Sequence, residues 1–193
     1  MTPVSQIRHA ALRAAAQRAI LAPSVHNTQP WRFVIDSGRL EIYADRARLL
    51  TVLDPTGRQL HLSIGCALLN ARVSLAASGY PSRVLRLPDD VPSLIARIDP
   101  DEAGSVDRAL AALDHVVQLR QTNRRRFAPD PVPPELVATL VQAAAAERAA
   151  LHLIVNPEDR ETLARLSQRA DTLQITNAAY RARIACFLFQ ACF

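Results

Sequence analysis

The chain has 193 residues, 49% of them hydrophobic and 21% charged, a balance typical of a globular protein rather than a disordered one. All 23 basic residues are arginine, and the net charge of +5 favours anionic partners such as phosphates, nucleotides or nucleic acid. Apolar runs are too short to predict a transmembrane helix, and the five glycines form neither a Rossmann nor a P-loop pattern.

The first part of the chain predicts a helix followed by a hairpin. Helical spacing of apolar residues extends over Ile7–Leu21 and ends before Pro23. The residues expected on its buried face are Ala11, Leu12, Ala15, Ala19 and Ile20. Alternating patterns predict strands at Trp31–Asp36 and Leu40–Ala44, joined by a turn at Ser37-Gly38.

A long helix is predicted next, starting at Asp54-Pro55-Thr56-Gly57 and stopping at Gly79. Its wide apolar stripe is typical of a central, mostly buried helix. The stripe consists of Leu60, Ile64, Ala67, Leu68, Ala71, Leu75 and Ala76. Two short strands follow at Val84–Leu87 and Leu94–Ile98, with a turn from Pro88 to Pro92.

The rest of the chain predicts mainly helices. One begins at a Ser105 cap, with its inward side chains expected at Val106, Ala109, Leu110, Leu113, Val116 and Val117. A helix at Glu135–Ala149, a strand at Leu151–Val155 and a helix from Asn156 to Tyr180 complete the pattern. The helix-then-strand order of residues 7–35 thus recurs over 135–155, through either an internal repeat or chance.

One polar loop, Ala22–Phe33, lies between the first helix and the first strand. Pro23 and Pro30 stiffen it. Its candidate hydrogen-bonding side chains are Ser24, Asn27, Thr28 and Gln29. A stiff polar loop between apolar elements indicates a binding surface, and the alternative is an ordinary turn with a buried Trp31.

A second candidate site is the run Arg120-Gln121-Thr122-Asn123-Arg124, where two guanidinium groups surround a hydroxyl. Arginine forks match phosphate oxygens, and a hydroxyl adds a donor. The run therefore favours the phosphate of a small cofactor. A solvated surface or a nucleic-acid patch are the alternatives, although no second basic stripe or aromatic series supports nucleic acid.

Together the two motifs resemble those of nitroreductase-type FMN oxidoreductases. Pro23-Ser24-x-x-Asn27-x-Gln29-Pro30-Trp31 resembles their flavin-contacting loop. Arg120-x-Thr122-x-Arg124, followed by Phe127 and Pro131-Val132-Pro133, resembles their phosphate motif. In ordinary members the phosphate motif comes first. The reversed order here resembles the Acg-like branch, in which two nitroreductase-like halves are fused in one chain.

The resemblance implies an α+β fold, with a nitroreductase-like antiparallel sheet flanked by helices. It implies a fused two-half arrangement with the second half incomplete. Residues 1–114 would form the first half and 115–193 the start of the second. A fused protein should be longer, and this chain stops in the apolar stretch Ile184–Phe193. We therefore expect a truncated or frameshifted product.

FMN is the implied cofactor. Its phosphate would be held by Arg120, Thr122 and Arg124. Its isoalloxazine would be lined by Pro23, Ser24, Asn27 and Gln29. Arg58 would replace the lysine that ordinary members often place near the reduced ring. Trp31 is expected to be buried behind the loop, Phe127 to anchor the phosphate loop in the core, and His26 to lie at the surface.

The implied reaction is hydride transfer from NAD(P)H to the flavin, followed by reduction of a nitroaromatic or quinone-like acceptor in a ping-pong cycle. A flavin-binding or flavin-sequestering protein without turnover is the main alternative, and a nucleic-acid-binding module is a weaker one. The thiols Cys66, Cys186 and Cys192 lack metal-ligand spacing, so no metal site is predicted. They favour a reducing compartment, the bacterial cytoplasm. The oligomeric state stays open.

Overall fold

A computed structural model of the chain describes residues 3–88, 91–101 and 103–190. The chain forms two compact units. The first unit comprises the chain up to Thr122 together with the last helix, and the second unit is Asn123–Asn177. This division does not test the boundary between residues 114 and 115, and the two-half organisation stays a prediction.

Seven helices and four strands lie in the described residues. The helices are α1 (Pro3–Ile20), α2 (Arg58–Ala77), α3 (Arg108–Ala111), α4 (Asp114–Val117), α5 (Pro134–Ala146), α6 (Pro157–Thr176) and α7 (Ala178–Gln190). The strands are β1 (Trp31–Asp36), β2 (Arg39–Ala44), β3 (Ser82–Arg86) and β4 (Leu94–Pro100). Single 3₁₀ turns form at Val25–Asn27 and Arg46–Arg48.

The four strands form one antiparallel sheet in the order β1-β2-β4-β3, which leaves β1 and β3 on its outer sides. β1 and β2 make the predicted hairpin, in which Asp36 pairs with Arg39. Ser37 (φ 47°) and Gly38 (φ 74°) between them both have left-handed backbone. A two-residue turn of this kind matches the natural twist of paired strands.

The core of the first unit lies between α1, α2 and one face of the sheet. Fully buried side chains come from each layer: Leu12, Ala15 and Ala19 of α1, Ile64, Ala67, Ala71 and Leu75 of α2, and Leu40, Ile42, Ala96 and Ile98 of the sheet. Trp31 is also buried, at 8% exposure, as predicted. The expected α+β arrangement of an antiparallel sheet flanked by helices is confirmed, whereas the fused halves are not.

The central helix α2 begins and ends as predicted. The buried carboxylate of Asp54 accepts a hydrogen bond from the Leu60 amide (2.9 Å) at its start. At its end Gly79 takes φ 81°, and the Tyr80 amide donates to the Leu75 carbonyl (2.9 Å), the hydrogen bond of a Schellman motif. By length and composition alone α2 could cross a membrane, but over half of that stretch (56%) is buried inside the protein, as in a core helix.

The opposite face of the sheet holds a buried ion pair. The Glu41 carboxylate accepts hydrogen bonds from the Tyr43 hydroxyl (2.6 Å) and from Nε of Arg97 (2.9 Å). The guanidinium of Arg32 lies over the Tyr43 ring, 4.5 Å from its centroid. The Tyr43 hydrogen bond lowers the pKa of Glu41 against the opposing effect of burial, and Arg97 lowers it further.

Two predictions about the helices of the first unit are wrong. Ile20 is 46% exposed, because the helix ends there and its last side chain faces outward. The single helix from Ser105 is instead the pair α3 and α4, and α3 is capped by Asp107, whose carboxylate accepts from the Leu110 amide (2.9 Å). The inward stripe is therefore broken: Val117 is buried, but Leu113 and Val116 are exposed.

The second unit forms its helices but not its predicted strand. Asn156 caps α6 by accepting from the Glu158 amide (2.9 Å), and α5 covers most of the predicted range. Leu151–Val155 has no regular structure and is exposed. A strand needs a hydrogen-bonded neighbour, and no described segment pairs with this one. The strand of the proposed repeat over 135–155 is therefore absent.

Some sequence predictions fall on residues outside the described ranges. These are the middle of the Pro88–Pro92 turn, the Cys192 end of the apolar tail and the side chain of Cys186. The described part of the tail continues α7.

Candidate functional site

The polar loop between α1 and β1 has an unusual backbone. Three of its non-glycine residues adopt left-handed conformations: His26 (φ 47°), Asn27 (φ 55°) and Gln29 (φ 47°). Asparagine and histidine adopt this region more readily than most residues, whereas glutamine does so at a cost of about 1 kcal/mol. Strain of this kind persists only where the surrounding contacts fix the backbone, and it is concentrated at functional sites.

Hydrogen bonds fix the loop from inside and from two outside elements. Within it, the Ser24 hydroxyl accepts from the Gln29 amide (2.9 Å). The Val25 amide donates to the hydroxyl of Ser63 in α2 (3.2 Å). Nη1 of Arg48 donates to the Thr28 carbonyl (3.0 Å). The sequence analysis did not identify Ser63. The feature that could have indicated it is a hydroxyl side chain within the apolar stripe of a helix.

Thr28 lies inside the protein rather than on the loop surface. Its side chain is fully buried, as is Pro30. Among the described residues, the Thr28 hydroxyl has no hydrogen-bond partner. The expectation that Thr28 is presented together with Ser24, Asn27 and Gln29 is therefore wrong. The Pro30 and Trp31 side chains draw this end of the loop into the core.

The exposed imidazole of His26 contacts α7. Its Nε2 lies 3.3 Å from the Tyr180 hydroxyl, and the two rings pack edge to face with centroids 6.2 Å apart. His26 is at the surface as expected. Its aromatic neighbour was not predicted, because Tyr180 is 154 residues away along the chain.

The beginning of the arginine run lies at the entrance to the loop. Nη2 of Arg120 donates to the carbonyl of Leu21 (3.3 Å), two residues before Pro23. Nη1 of Arg120 donates to the Thr122 hydroxyl (3.4 Å). Burial raises the pKa of the Cys66 thiol, and the Arg120 charge opposes that rise. The structure thus brings Arg120 close to the entrance of the loop and to Cys66 of α2, with the Thr122 hydroxyl beside it.

A cavity of about 470 Å³ lies beside these segments. Its lining includes Leu21, just before the loop, and Gln118, just before the arginine run. Arg18 and Asp114 also line it, joined by two hydrogen bonds of 3.0 and 3.1 Å. The cavity therefore borders the flanks of both predicted motifs.

The remaining predicted site residues are more scattered. Arg58 is exposed at the first position of α2. Arg124 belongs to the second unit, whereas Arg120 and Thr122 belong to the first. Phe127 is 78% exposed, so its predicted anchoring in the core is wrong, because the second unit has no buried side chain to pack against. The described residues contain no group of three or more side chains that could hold a metal ion.

The first unit is thus an α+β structure with a strained polar loop beside an arginine and a hydroxyl. No family model matches the chain, but curated relatives do. "Putative NAD(P)H nitroreductase acg" of Mycobacterium tuberculosis is 29% identical over 183 residues, covering 94% of this chain and 55% of the relative. "Putative NAD(P)H nitroreductase Rv3131" of that organism is 36% identical over 140 residues, covering 69% and 39%.

A third relative, "Uncharacterized protein Rv3127" of the same organism, is 30% identical over 183 residues, covering 90% of this chain and 52% of the relative. The two relatives named as nitroreductases support a nitroreductase-like family for this chain, in agreement with the resemblance carried by the two motifs. The chain spans about half the length, or less, of these curated relatives.

Proposed function

We propose that the chain is part of an FMN-dependent NAD(P)H oxidoreductase of nitroreductase type. The single observation that carries the proposal is the contact of Arg120 with the Leu21 carbonyl, which joins the phosphate-type motif to the entrance of the flavin-type loop. The names of the two nitroreductase relatives support the choice of NAD(P)H and of a small-molecule acceptor. A nitroaromatic or quinone-like compound is the proposed acceptor.

The side chains present fit FMN. Arg120 and Thr122 are exposed and 3.4 Å apart, a guanidinium beside a hydroxyl that suits a terminal phosphate. The loop offers exposed Asn27 and half-buried Ser24 and Gln29 on a fixed backbone. When bound, the flavin supplies hydride acceptance and electron transfer. The residues of the chain bind its phosphate, orient its ring and hold donors close to it.

The test is a comparison of FMN with riboflavin, which lacks the phosphate. Arg120→Ala should weaken FMN binding roughly tenfold or more, because it removes a charge-assisted hydrogen bond, and should leave riboflavin binding unchanged. Arg124→Ala tests the third predicted phosphate ligand in the same way. Arg13→Ala, at an exposed position of α1, is the matched control. Binding is read from the flavin absorbance of the protein fraction, and equal losses for both ligands would contradict the phosphate role.

Flavin binding without turnover is a second candidate. The observation that favours it is the absence of lysine, since all 23 basic residues are arginine. The position next to the reduced ring would then depend on the guanidinium of Arg58. NAD(P)H oxidation faster than with free FMN would exclude this candidate. Tight flavin binding with no such oxidation would establish it.

A further inference from the structure

We infer that Ser63 and Arg48 are positioning residues, which hold the strained loop in the conformation that receives the flavin ring. The inference rests on the proposed function and extends it to two side chains outside both recognised motifs. Ser63 lies in α2 and Arg48 in the 3₁₀ turn after β2. Each makes a hydrogen bond to a loop backbone group.

The hydrogen bonds inside the loop are all local. The amides of Asn27 and Gln29 donate to the Ser24 carbonyl (3.0 Å) and hydroxyl (2.9 Å), and the Thr28 amide donates to the Val25 carbonyl (3.0 Å). These bonds span three to five residues, which include the left-handed residues His26, Asn27 and Gln29. Left-handed backbone at non-glycine positions relaxes unless neighbouring groups oppose it. Local bonds of this kind move together with the loop, so contacts from the surrounding elements are needed to hold it in place relative to the core.

Ser63 supplies one of these contacts from a rigid support. Its side chain is 5% exposed, and its hydroxyl donates to the Gln59 carbonyl one turn earlier (2.8 Å). That bond directs the hydroxyl oxygen so that it accepts from the Val25 amide (3.2 Å). The first half of the loop is thereby attached to the central helix of the core.

Arg48 supplies the second contact. Its Nε pairs with the Asp45 carboxylate (3.2 Å), and its Nη1 donates to the Thr28 carbonyl (3.0 Å). The Asp45 amide also donates to the Pro30 carbonyl (3.1 Å). The second half of the loop is thereby attached to the end of β2, so the strained residues lie between two fixed points.

A preset loop binds its ligand without a cost for ordering, so loosening it should weaken binding even though neither side chain contacts the flavin. Ser63→Ala should reduce FMN affinity about fivefold, the value of one ordinary hydrogen bond. Ser63→Thr keeps the hydroxyl and should restore it. Ser74→Ala, at another buried serine of α2, is the matched control. Arg48→Met should likewise reduce FMN affinity. Arg46→Met, at another exposed position of the same 3₁₀ turn, is its control.

A second readout does not depend on FMN. Trp31 is the only tryptophan. It lies near the end of the loop, where β1 begins, so the quenching of its fluorescence by acrylamide reports the position of the loop. Quenching should rise in Ser63→Ala and Arg48→Met relative to their controls, with unchanged circular dichroism. Should Ser63→Ala fail to fold, Arg48→Met decides.

Quenching and affinity at control levels in both variants would overturn the inference. A loss of FMN affinity in Ser63→Thr as large as that in Ser63→Ala would also overturn it. If the unmodified chain binds no FMN, the proposed function fails, and the quenching comparison alone then decides whether Ser63 and Arg48 fix the loop.

Discussion

The two units differ in what holds them together. In the first unit, α1, α2 and the sheet share a core of fully buried side chains. In the second unit, residues 123–177, every side chain is exposed or only half-buried. Both units contain well-formed helices of similar length, α2 and α6 having 20 residues each. Helix formation and core formation are therefore separate properties of this chain.

Local signals account for the helices of the second unit. Pro134 and Pro157 occupy the first helical positions of α5 and α6, where a missing amide hydrogen costs nothing. The Asn156 cap satisfies a free amide of α6. No local signal can replace a neighbouring strand, so Leu151–Val155 stays irregular although its residues favour strands. The four predictions that follow test this difference between the units.

Limited trypsin digestion should show the largest difference between the two units. Local opening costs little free energy where few side chains are buried and approaches the global value in a core. Cleavage after Arg165 in α6 should therefore be faster than cleavage after the exposed Arg13 in α1, on the order of a thousandfold. Mass spectrometry of the first fragments measures this. Equal rates at the two helices would show that the units open together.

Removal of apolar side-chain atoms should lower the free energy of unfolding only when the residue belongs to the first unit. Ile64 is fully buried, and Ile64→Ala should lower the free energy of unfolding by about 3 kcal/mol through the cavity that it leaves. Leu166 is 58% exposed. Leu166→Ala should therefore change the free energy of unfolding by less than about 0.5 kcal/mol. Urea titrations measure both. Comparable losses would mean that Leu166 is covered in solution.

The buried ion pair makes the stability of the first unit depend on pH. The pKa of Glu41 is lowered on folding, first by the Tyr43 hydrogen bond. A carboxylate with a lowered pKa stabilises the fold above its unfolded pKa, and that contribution is lost as the pH falls through the folded value. Glu41→Gln should therefore cost about 2 kcal/mol near neutral pH.

The advantage of the native protein over Glu41→Gln should shrink as the pH falls below 4.5, the ordinary pKa of the group. Urea midpoints of both proteins measured across this range give the comparison, with Glu158→Gln at an exposed position of the second unit as control. A constant difference at all pH values would contradict the pKa of Glu41 as the cause.

The smallest effect compares two helix ends with the same Schellman geometry. α2 ends at Gly79 (φ 81°), and α5 ends at Arg148 (φ 58°), after which the Ala149 amide donates to the Ala144 carbonyl (2.9 Å). Gly79→Ala should destabilise the first unit by about 1 kcal/mol. Arg148→Gly should relieve strain and raise helix content in the second unit, as circular dichroism can measure. A loss of helix content in Arg148→Gly would refute the strain at Arg148.

The sequence predicted those parts of the fold that depend on neighbouring residues. The β1–β2 hairpin and the start and Gly79 stop of α2 follow from local patterns, and the structure confirms them. The broken helix after Ser105 and the exposed Phe127 could not be predicted, because they depend on whether a distant element covers the apolar side chains. Within the candidate site, the polar loop could be predicted from the sequence. Its supports Ser63 and Arg48 were not, since each hydrogen bond joins residues 20 or more positions apart.

The sheet ends at β1 on one side and at β3 on the other, so within the described strands each outer backbone can accept a further strand. Arg83 and Arg86 of β3 are exposed along one of those margins, and like charges there oppose the pairing of β3 in one molecule with β3 in another. That repulsion extends only over the Debye length, about 10 Å at 0.1 M salt. Edge-to-edge association of this protein should therefore become easier as the ionic strength rises.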